Sequence, residues 1–185
     1  MSLARLAGQL PDFADDLKHN LRALAGEATL GETQKASCFL AAAFACGEPL
    51  TIEALMAEFQ PKLTPAGLRA AKAATAIMSM TNIYWRFLHL ASAPEFAQLP
   101  ANLKMSIVAR PGGEPLDFEL ATIAVSALNG CGLCIEAHLK KLLKAGGSHA
   151  QAQAAVRIAA VVHAVANVLR CEAALAARPG PAVAR

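Results

Sequence analysis

The chain has 185 residues, enough for one globular domain or a compact unit of two similar halves. Hydrophobic residues make up 55% and charged ones 17%, against roughly 45–50% and ~25% in an ordinary soluble domain, so some apolar surface is expected to pack against further copies of the chain. A formal net charge of +3, with basic residues scattered rather than striped, leaves no electrostatic footprint for nucleic acid.

The most apolar stretch, residues 154–169, is interrupted by Arg157 and His163. It falls short of the roughly 20 apolar residues that a membrane span needs, and reads as a buried helix. Arg5 is followed by Asp12, Asp15 and Asp16 with no apolar run of leader type, so no leader is expected and the chain is placed in the cytosol. Five cysteines in such a chain do not read as a disulfide framework. Cys38, Cys46 and Cys171 stand alone among apolar neighbours and read as small buried hydrophobes. Cys131 and Cys134 are a close pair, and in a reducing compartment such a pair is catalytic or metal-binding.

In chain order, helix formers dominate and runs of alternating β-branched residues are missing, which predicts an all-α fold. One helical domain is expected over residues 1–176, with a disordered tail at 177–185. Residues 3–24 read as helical with a break at Pro11 and a cap at Asp12. Gly26 and Gly31 bracket a turn before a helix at 33–46, closed by Gly47 and Pro49. A short helix at 51–59 is expected with Thr51 as its cap, then a loop at 61–65. Residues 66–80 are predicted helical, continuing at 83–90 after a break near Asn82. Residues 94–100 read as irregular, and 103–109 as a helix. After the punctuation of Pro111-Gly112-Gly113-Glu114-Pro115 come helices at 117–128 and 131–145, then a long helix at 149–176 capped by Ser148.

One internal echo stands out. Residues 76–82, AIMSMTN, resemble 123–129, IAVSALN, and share Ser-x-x-Asn. They suggest a duplicated helix–turn–helix. Tyr84 and Phe87 in the first copy stand where the second has Cys131 and Cys134.

The second copy carries the chemistry. Gly130 is placed to end one helix and Cys131 to open the next. A thiol in a helix's first turn faces unsatisfied backbone N–H groups and the positive end of the dipole, and both favour thiolate. His138 lies one turn beyond Cys134 on the same face. In an antiparallel hairpin around Asn129-Gly130, Glu119 lies ~15 Å and His138 ~12 Å from the turn, at similar height, with Cys134 lower at ~6 Å. The order this suggests is Glu119, His138, Cys134: the carboxylate orients the imidazole, and the imidazole activates the sulfur.

Each element has a plainer reading. Cys131, Cys134, His138 and either His149 or His163 could form a Cys₂His₂ zinc site, although a second CxxC is missing. A c-type haem would need histidine where Ile135 stands. Glu119 could simply favour a helix dipole, and His138 could be an ordinary core histidine. Glu136 reads as solvated, and His19, His89, His149 and His163 as structural.

The segment Phe118-Glu119-Leu120, then Ala124 to Gly130, Cys131-x-x-Cys134 and His138, resembles the signature of the alkylhydroperoxidase D family, within the carboxymuconolactone decarboxylase-like superfamily. The likeness extends through Ala76-Ile77-Met78, Leu103-Lys104-Met105 and Pro111-Gly112 to Leu10-Pro11-x-Phe13. It implies an all-helical homotrimer that reduces alkyl hydroperoxides. In the family, the position matching Cys134 is the peroxidatic thiol that becomes a sulfenic acid. The position matching Cys131 resolves it to a disulfide and can donate a proton, and those matching Glu119 and His138 form a proton relay. No bound cofactor is implied. Electrons come from lipoyl groups on a partner acyltransferase domain, and a peroxiredoxin is regenerated through a mixed disulfide at Cys134. The chain departs from the best-known motif at Leu133, where histidine is usual, which favours disulfide exchange over peroxidase turnover. Three alternatives accompany the dithiol peroxidase: a redox adaptor for a peroxiredoxin, a zinc-stabilised interaction protein, and a decarboxylase that would have no use for paired cysteines.

Overall fold

Every regular element of the computed structural model, which describes residues 2–91 and 93–177, is helical, with no strand among them. The chain opens with α1 (Leu3–Gly8), capped by the Ser2 hydroxyl, which accepts from the Arg5 N–H at 3.3 Å. The expected break at Pro11 is present. Asp12, however, does not cap the following helix: it starts a single 3₁₀ turn (Asp12–Ala14), and its carboxylate accepts from Phe13. Helix α2 (Asp15–Ala25) begins without a side-chain cap and ends at Gly26.

Helix α3 (Glu32–Cys46) stops at Gly47, whose φ of 68° lets the chain turn away at little cost. The next helix starts earlier than expected. Pro49 occupies the first position of α4 (Pro49–Phe59), where its missing N–H costs nothing. Glu48, not Thr51, is the cap, accepting from Leu50 N at 3.0 Å and Thr51 N at 2.6 Å. Thr51 lies buried within the helix instead. The loop expected at 61–65 is partly a 3₁₀ turn (Gln60–Lys62).

Helix α5 (Pro65–Ala91) runs without interruption, so the break expected near Asn82 is not there. The reason lies in the echo. The residue matching Gly130 is Ile83, a β-branched side chain that cannot readily adopt the left-handed conformation that ends the second copy. The first copy is therefore a helix without a turn, and the duplicated helix–turn–helix is not realised. Two further expectations exchange places. Residues 94–100, read as irregular, hold a short helix α6 (Pro94–Gln98) with Pro94 at its first position. Residues 103–109, read as a helix, form only a 3₁₀ turn (Ser106–Ala109), between Asn102 at φ 49° and Arg110 at φ −144° and ψ 66°, which Pro111 keeps out of the helical region.

The last three helices follow the sequence reading closely: α7 (Pro115–Leu128), α8 (Gly132–Lys144) and α9 (His149–Ala176). Ser148 and Gln151 form a reciprocal capping box at the start of α9. By length and composition α9 could cross a membrane; here its inner side packs on α2, α3 and α7, and Arg157 pairs with Glu27. The tail beyond Ala177 lies outside the described residues.

Helix α7 is the axis of the molecule, flanked by α3, α5, α8 and α9. Every residue from Asp117 to Ser126 is buried. One large apolar cluster joins α1–α4 with α7 and α9, including Phe39 stacked on Phe59 at 4.3 Å. A smaller cluster of Ala70, Ala74, Ile77, Met78, Phe118 and Val125 seals α5 against α7. A carboxylate on α7 is thereby drawn into the interior, where it needs a partner.

Candidate active site

The end of α7 and the start of α8 share one compact turn. Gly130, at φ 64°, donates to Ala127 O at 3.1 Å, and Cys131 N donates to Ser126 O at 3.1 Å. This pair of bonds is a Schellman motif. Cys131 is at once the residue that closes α7 and the N-cap of α8. The first bond within α8 runs from Ile135 N to Cys131 O, 3.0 Å. Cys134 thus sits in the first turn, among backbone N–H groups that the helix leaves unpaired.

Two residues that the sequence reading did not single out clamp this turn from α5. Asn82, fully buried, donates to Ser126 Oγ at 3.1 Å and accepts from Asn129 Nδ2 at 3.0 Å. Arg86, one turn on, donates to the Asn129 carbonyl. The Ser-x-x-Asn echo was the sequence signal for Asn82: its two copies meet face to face across the α5–α7 seam. Nothing local marked Arg86.

The structure joins Cys131 and Cys134 in a disulfide, with Cα atoms 5.3 Å apart. The two sulfur-bearing residues differ in access: Cys131 is fully buried, whereas Cys134 forms part of the wall of a cavity of about 550 Å³. His138, a turn further along α8, lines the same cavity. Glu119 on α7 reaches it from behind, Oε2 to Nδ1 at 2.6 Å, with both side chains buried. A carboxylate only accepts, so the ring N–H is on Nδ1, and Nε2 is the nitrogen left to take or give a proton. The juxtaposition of Glu119 and His138 inferred from helix rise is present.

The rest of the cavity is apolar. Met78, Thr81 and Trp85 come from α5, Met105 and Val108 from the 3₁₀ segment, and Leu133, Ala137 and Lys141 from α8. Leu133 puts an exposed hydrocarbon wall beside Cys134. Met78, Thr81 and Met105 stand in segments that the sequence singled out, but only Leu133 was tied there to the dithiol. Their spacing on α5 and α8 is helical, but only the packing reveals which face meets the cavity.

The other cysteines are not part of this site. Cys38 is fully buried, and burial beside Asp117 pushes its thiol far up. Cys46 is only half-buried and not without a partner: His163 Nδ1 lies 3.8 Å from its Sγ. Arg170 donates to the Asn167 Oδ1, which turns the Asn167 amide N–H toward His163 Nε2 at 2.9 Å. Burial raises the Cys46 thiol, with Arg170 opposing, so it stays protonated at neutral pH. Cys171 is exposed rather than buried. The zinc set considered from sequence, Cys131, Cys134 and His138 with either His149 or His163, is not gathered: the two cysteines are joined to each other, and His163 is engaged with Cys46. Among the described residues no group of three or more His, Cys, Asp or Glu side chains is placed to hold a metal ion.

A helical fold with a dithiol in the first turn of one helix and a carboxylate–imidazole pair beside it defines a class, and residues 94–177 match the model of the carboxymuconolactone decarboxylase family. Full-length relatives narrow this further. The chain is 50% identical over 179 residues to a protein of Hyphomonas neptunium named alkyl hydroperoxide reductase AhpD, covering 97% of this chain and 99% of the relative. It is 52% identical over 172 residues to the protein of that name in Maricaulis maris, covering 93% and 99%, and 49% identical over 179 residues to that of Gluconacetobacter diazotrophicus, covering 97% and 98%. The chain belongs to the alkyl hydroperoxide reductase AhpD family.

Proposed function

We propose that the protein reduces alkyl hydroperoxides through the Cys131–Cys134 dithiol, as the names of its relatives indicate for them. The observation that carries the reading is the asymmetry of the pair: Cys134 and His138 open on the apolar cavity while Cys131 is buried behind them. In the reduced protein, the Cys134 thiolate attacks the terminal oxygen of the hydroperoxide. The S–O bond forms as the O–O bond breaks, and the departing alkoxide takes a proton from the protonated His138 to leave as alcohol. Cys131 then attacks the Cys134 sulfenic acid, the S–S bond forms, and water leaves. Glu119 holds the ring in orientation through the cycle. The disulfide is reopened by a dihydrolipoyl group on a partner acyltransferase domain, two thiols being oxidised as two are restored.

The test is a dihydrolipoamide-coupled hydroperoxide assay. Cys134→Ser and Cys131→Ser are expected to lose turnover, with Cys131→Ser still reducing about one equivalent of peroxide. Full turnover in Cys134→Ser would overturn the assignment. A second reading, favoured by Leu133 in place of the family's usual histidine, is a redox adaptor that regenerates a peroxiredoxin through a mixed disulfide at Cys134. Mixing reduced protein with hydroperoxide alone distinguishes them, because the adaptor consumes none.

Self-association belongs to the same proposal. Ile83, Phe87 and Leu90 form an exposed stripe on α5, continued by Phe96 and Leu99, and such a band supports a homotrimer in which copies cover it. The reading places the protein in the cytosol, with no nucleic-acid or membrane partner and no resident cofactor.

A further inference from the structure

Hydrocarbon walls and one reactive sulfur would accept many small hydroperoxides, but the cavity also carries a charge that peroxide chemistry does not use. Lys141 lines it. Among the described residues it takes part in no ion pair, unlike Lys18, Lys35 and Lys62, which each have a carboxylate partner. A lysine near the end of α8 could be there to offset the helix dipole, yet Lys144 in the same last turn does that without touching the cavity. The lining holds no carboxylate, and Glu119, which meets the cavity's His138, is committed to that ring. The cavity therefore has a sulfur at one level, a hydrocarbon wall, and at another level the exposed Lys141, whose ammonium has no carboxylate partner among the described residues.

We infer that the cavity at Cys134 is built for amphipathic hydroperoxides that carry a carboxylate, with Lys141 as the anchor for that carboxylate. This rests on the proposed peroxide chemistry of the same site and names its substrate class. Cys134, His138 and Lys141 follow one another on one side of α8, at positions i, i+4 and i+7. Seven residues at 1.5 Å each separate the Cα atoms of Cys134 and Lys141 by about 10 Å along the axis. A carboxylate held at Lys141 thus brings to Cys134 an oxygen borne well along the chain, not one next to the carboxyl group. Hydroperoxides of unsaturated fatty acids have that form, because radicals abstract hydrogen beside their mid-chain double bonds. Met78, Met105, Trp85 and Leu133 supply soft and aromatic walls that adapt to a flexible hydrocarbon.

The chain's single tryptophan, Trp85, lies in this wall and reports on occupancy. Trp85 fluorescence is followed as the protein is titrated with decanoate and, separately, with decan-1-ol. Neither is a peroxide, so the readout does not depend on turnover. Lys141→Met, which keeps the apolar stem, is expected to weaken decanoate about fivefold, the upper range for an exposed ion pair, and decanol by less than about twofold. Lys144→Met, with the same change in net charge outside the cavity, leaves decanoate binding as in the wild type. Equal weakening of both ligands by Lys141→Met, or no weakening of either, overturns the anchor. A second arm compares kcat/KM for a mid-chain hydroperoxide of linoleic acid with that for its methyl ester. The acid-to-ester ratio is expected to fall about fivefold in Lys141→Met, and a ratio unchanged while both substrates turn over overturns the anchor alone. Selective decanoate binding with neither hydroperoxide consumed keeps the carboxylate subsite and overturns the peroxidase reading.

Discussion

Glu119 is the residue whose position in the sequence says least and whose position in space says most. It stands in a helix buried on every side, where an unpaired carboxylate would be costly, and among the described residues its side-chain partner is His138 at 2.6 Å. Replacing it with Gln keeps the shape and removes the charge. Glu119→Gln is expected to lower kcat/KM in the coupled assay about 10²-fold, in the range of acid–base contributions, and to slow labelling of reduced Cys134 by iodoacetamide. Wild-type values for both would remove Glu119 from the mechanism. Asp117, two residues earlier, shows the opposite economy: burial raises its carboxyl, the Thr33 hydroxyl lowers it, and Glu114 raises it further. A carboxyl whose folded value is raised destabilises the fold where it is ionised, and the penalty disappears as pH falls below its unfolded value near ~3.9. Asp117→Asn should therefore raise the urea midpoint at pH 7.5 and change it progressively less toward pH 4, a trend that paired unfolding curves would read directly.

At the level of elements, one glycine separates the two copies of the echo. Gly130 takes φ 64° and turns the chain so that Cys131 caps α8; Ile83 in the matching place keeps α5 straight. Gly130→Ala puts a Cβ into the left-handed region, a cost of about 1–2 kcal/mol, and should lower stability by that amount in urea unfolding. Because the same turn sets the first residues of α8, peroxide turnover should fall with it. A variant as stable as the wild type would mean that the turn tolerates a side chain and that the left-handed residue is incidental. The echo itself proved to be a packing motif: Asn82 and Ser126, one from each copy, bond across the seam that holds the dithiol turn in place.

For the whole molecule, an apolar excess legible in the composition reappears as a located surface. Leu90 is 70% exposed and Ile83 56%, on a stripe where Phe87 meets the Phe96 ring of α6 edge-on. The double variant Phe87→Asp, Leu90→Asp should run at the mass of one chain in light scattering after gel filtration, with the wild type at a multiple of it. A wild type already at one chain's mass would overturn the trimer proposal.

Much of the fold was readable along the chain, because helices are local objects. Ser148 with Gln151, Gly47 after Cys46 and Gly130 after Asn129 act on neighbours a few residues away, and the boundaries of α7, α8 and α9 follow. The readings that failed did so where two local signals competed. Pro49 and Glu48 outbid Thr51 as the start of α4, and Asn102 and Pro111 confined residues 103–109 to one 3₁₀ turn. The carboxylate–imidazole pair was legible too, since a tight turn and a fixed rise per residue leave little freedom in where Glu119 and His138 meet. What the residues alone could not decide is access. Cys131 and Cys134 look alike in a list of thiols, and only packing buries one and opens the other onto a cavity walled by α5, the 3₁₀ segment and α8. Those walls come from positions some thirty to sixty residues apart, brought together by the burial of α7. Sequence alone therefore determined most of the helices and the meeting of Glu119 with His138, through interactions that act across a turn or two and one tight loop. The tertiary structure decided which sulfur opens onto a cavity and which side chains wall it, because a cavity is made by surfaces that are distant along the chain.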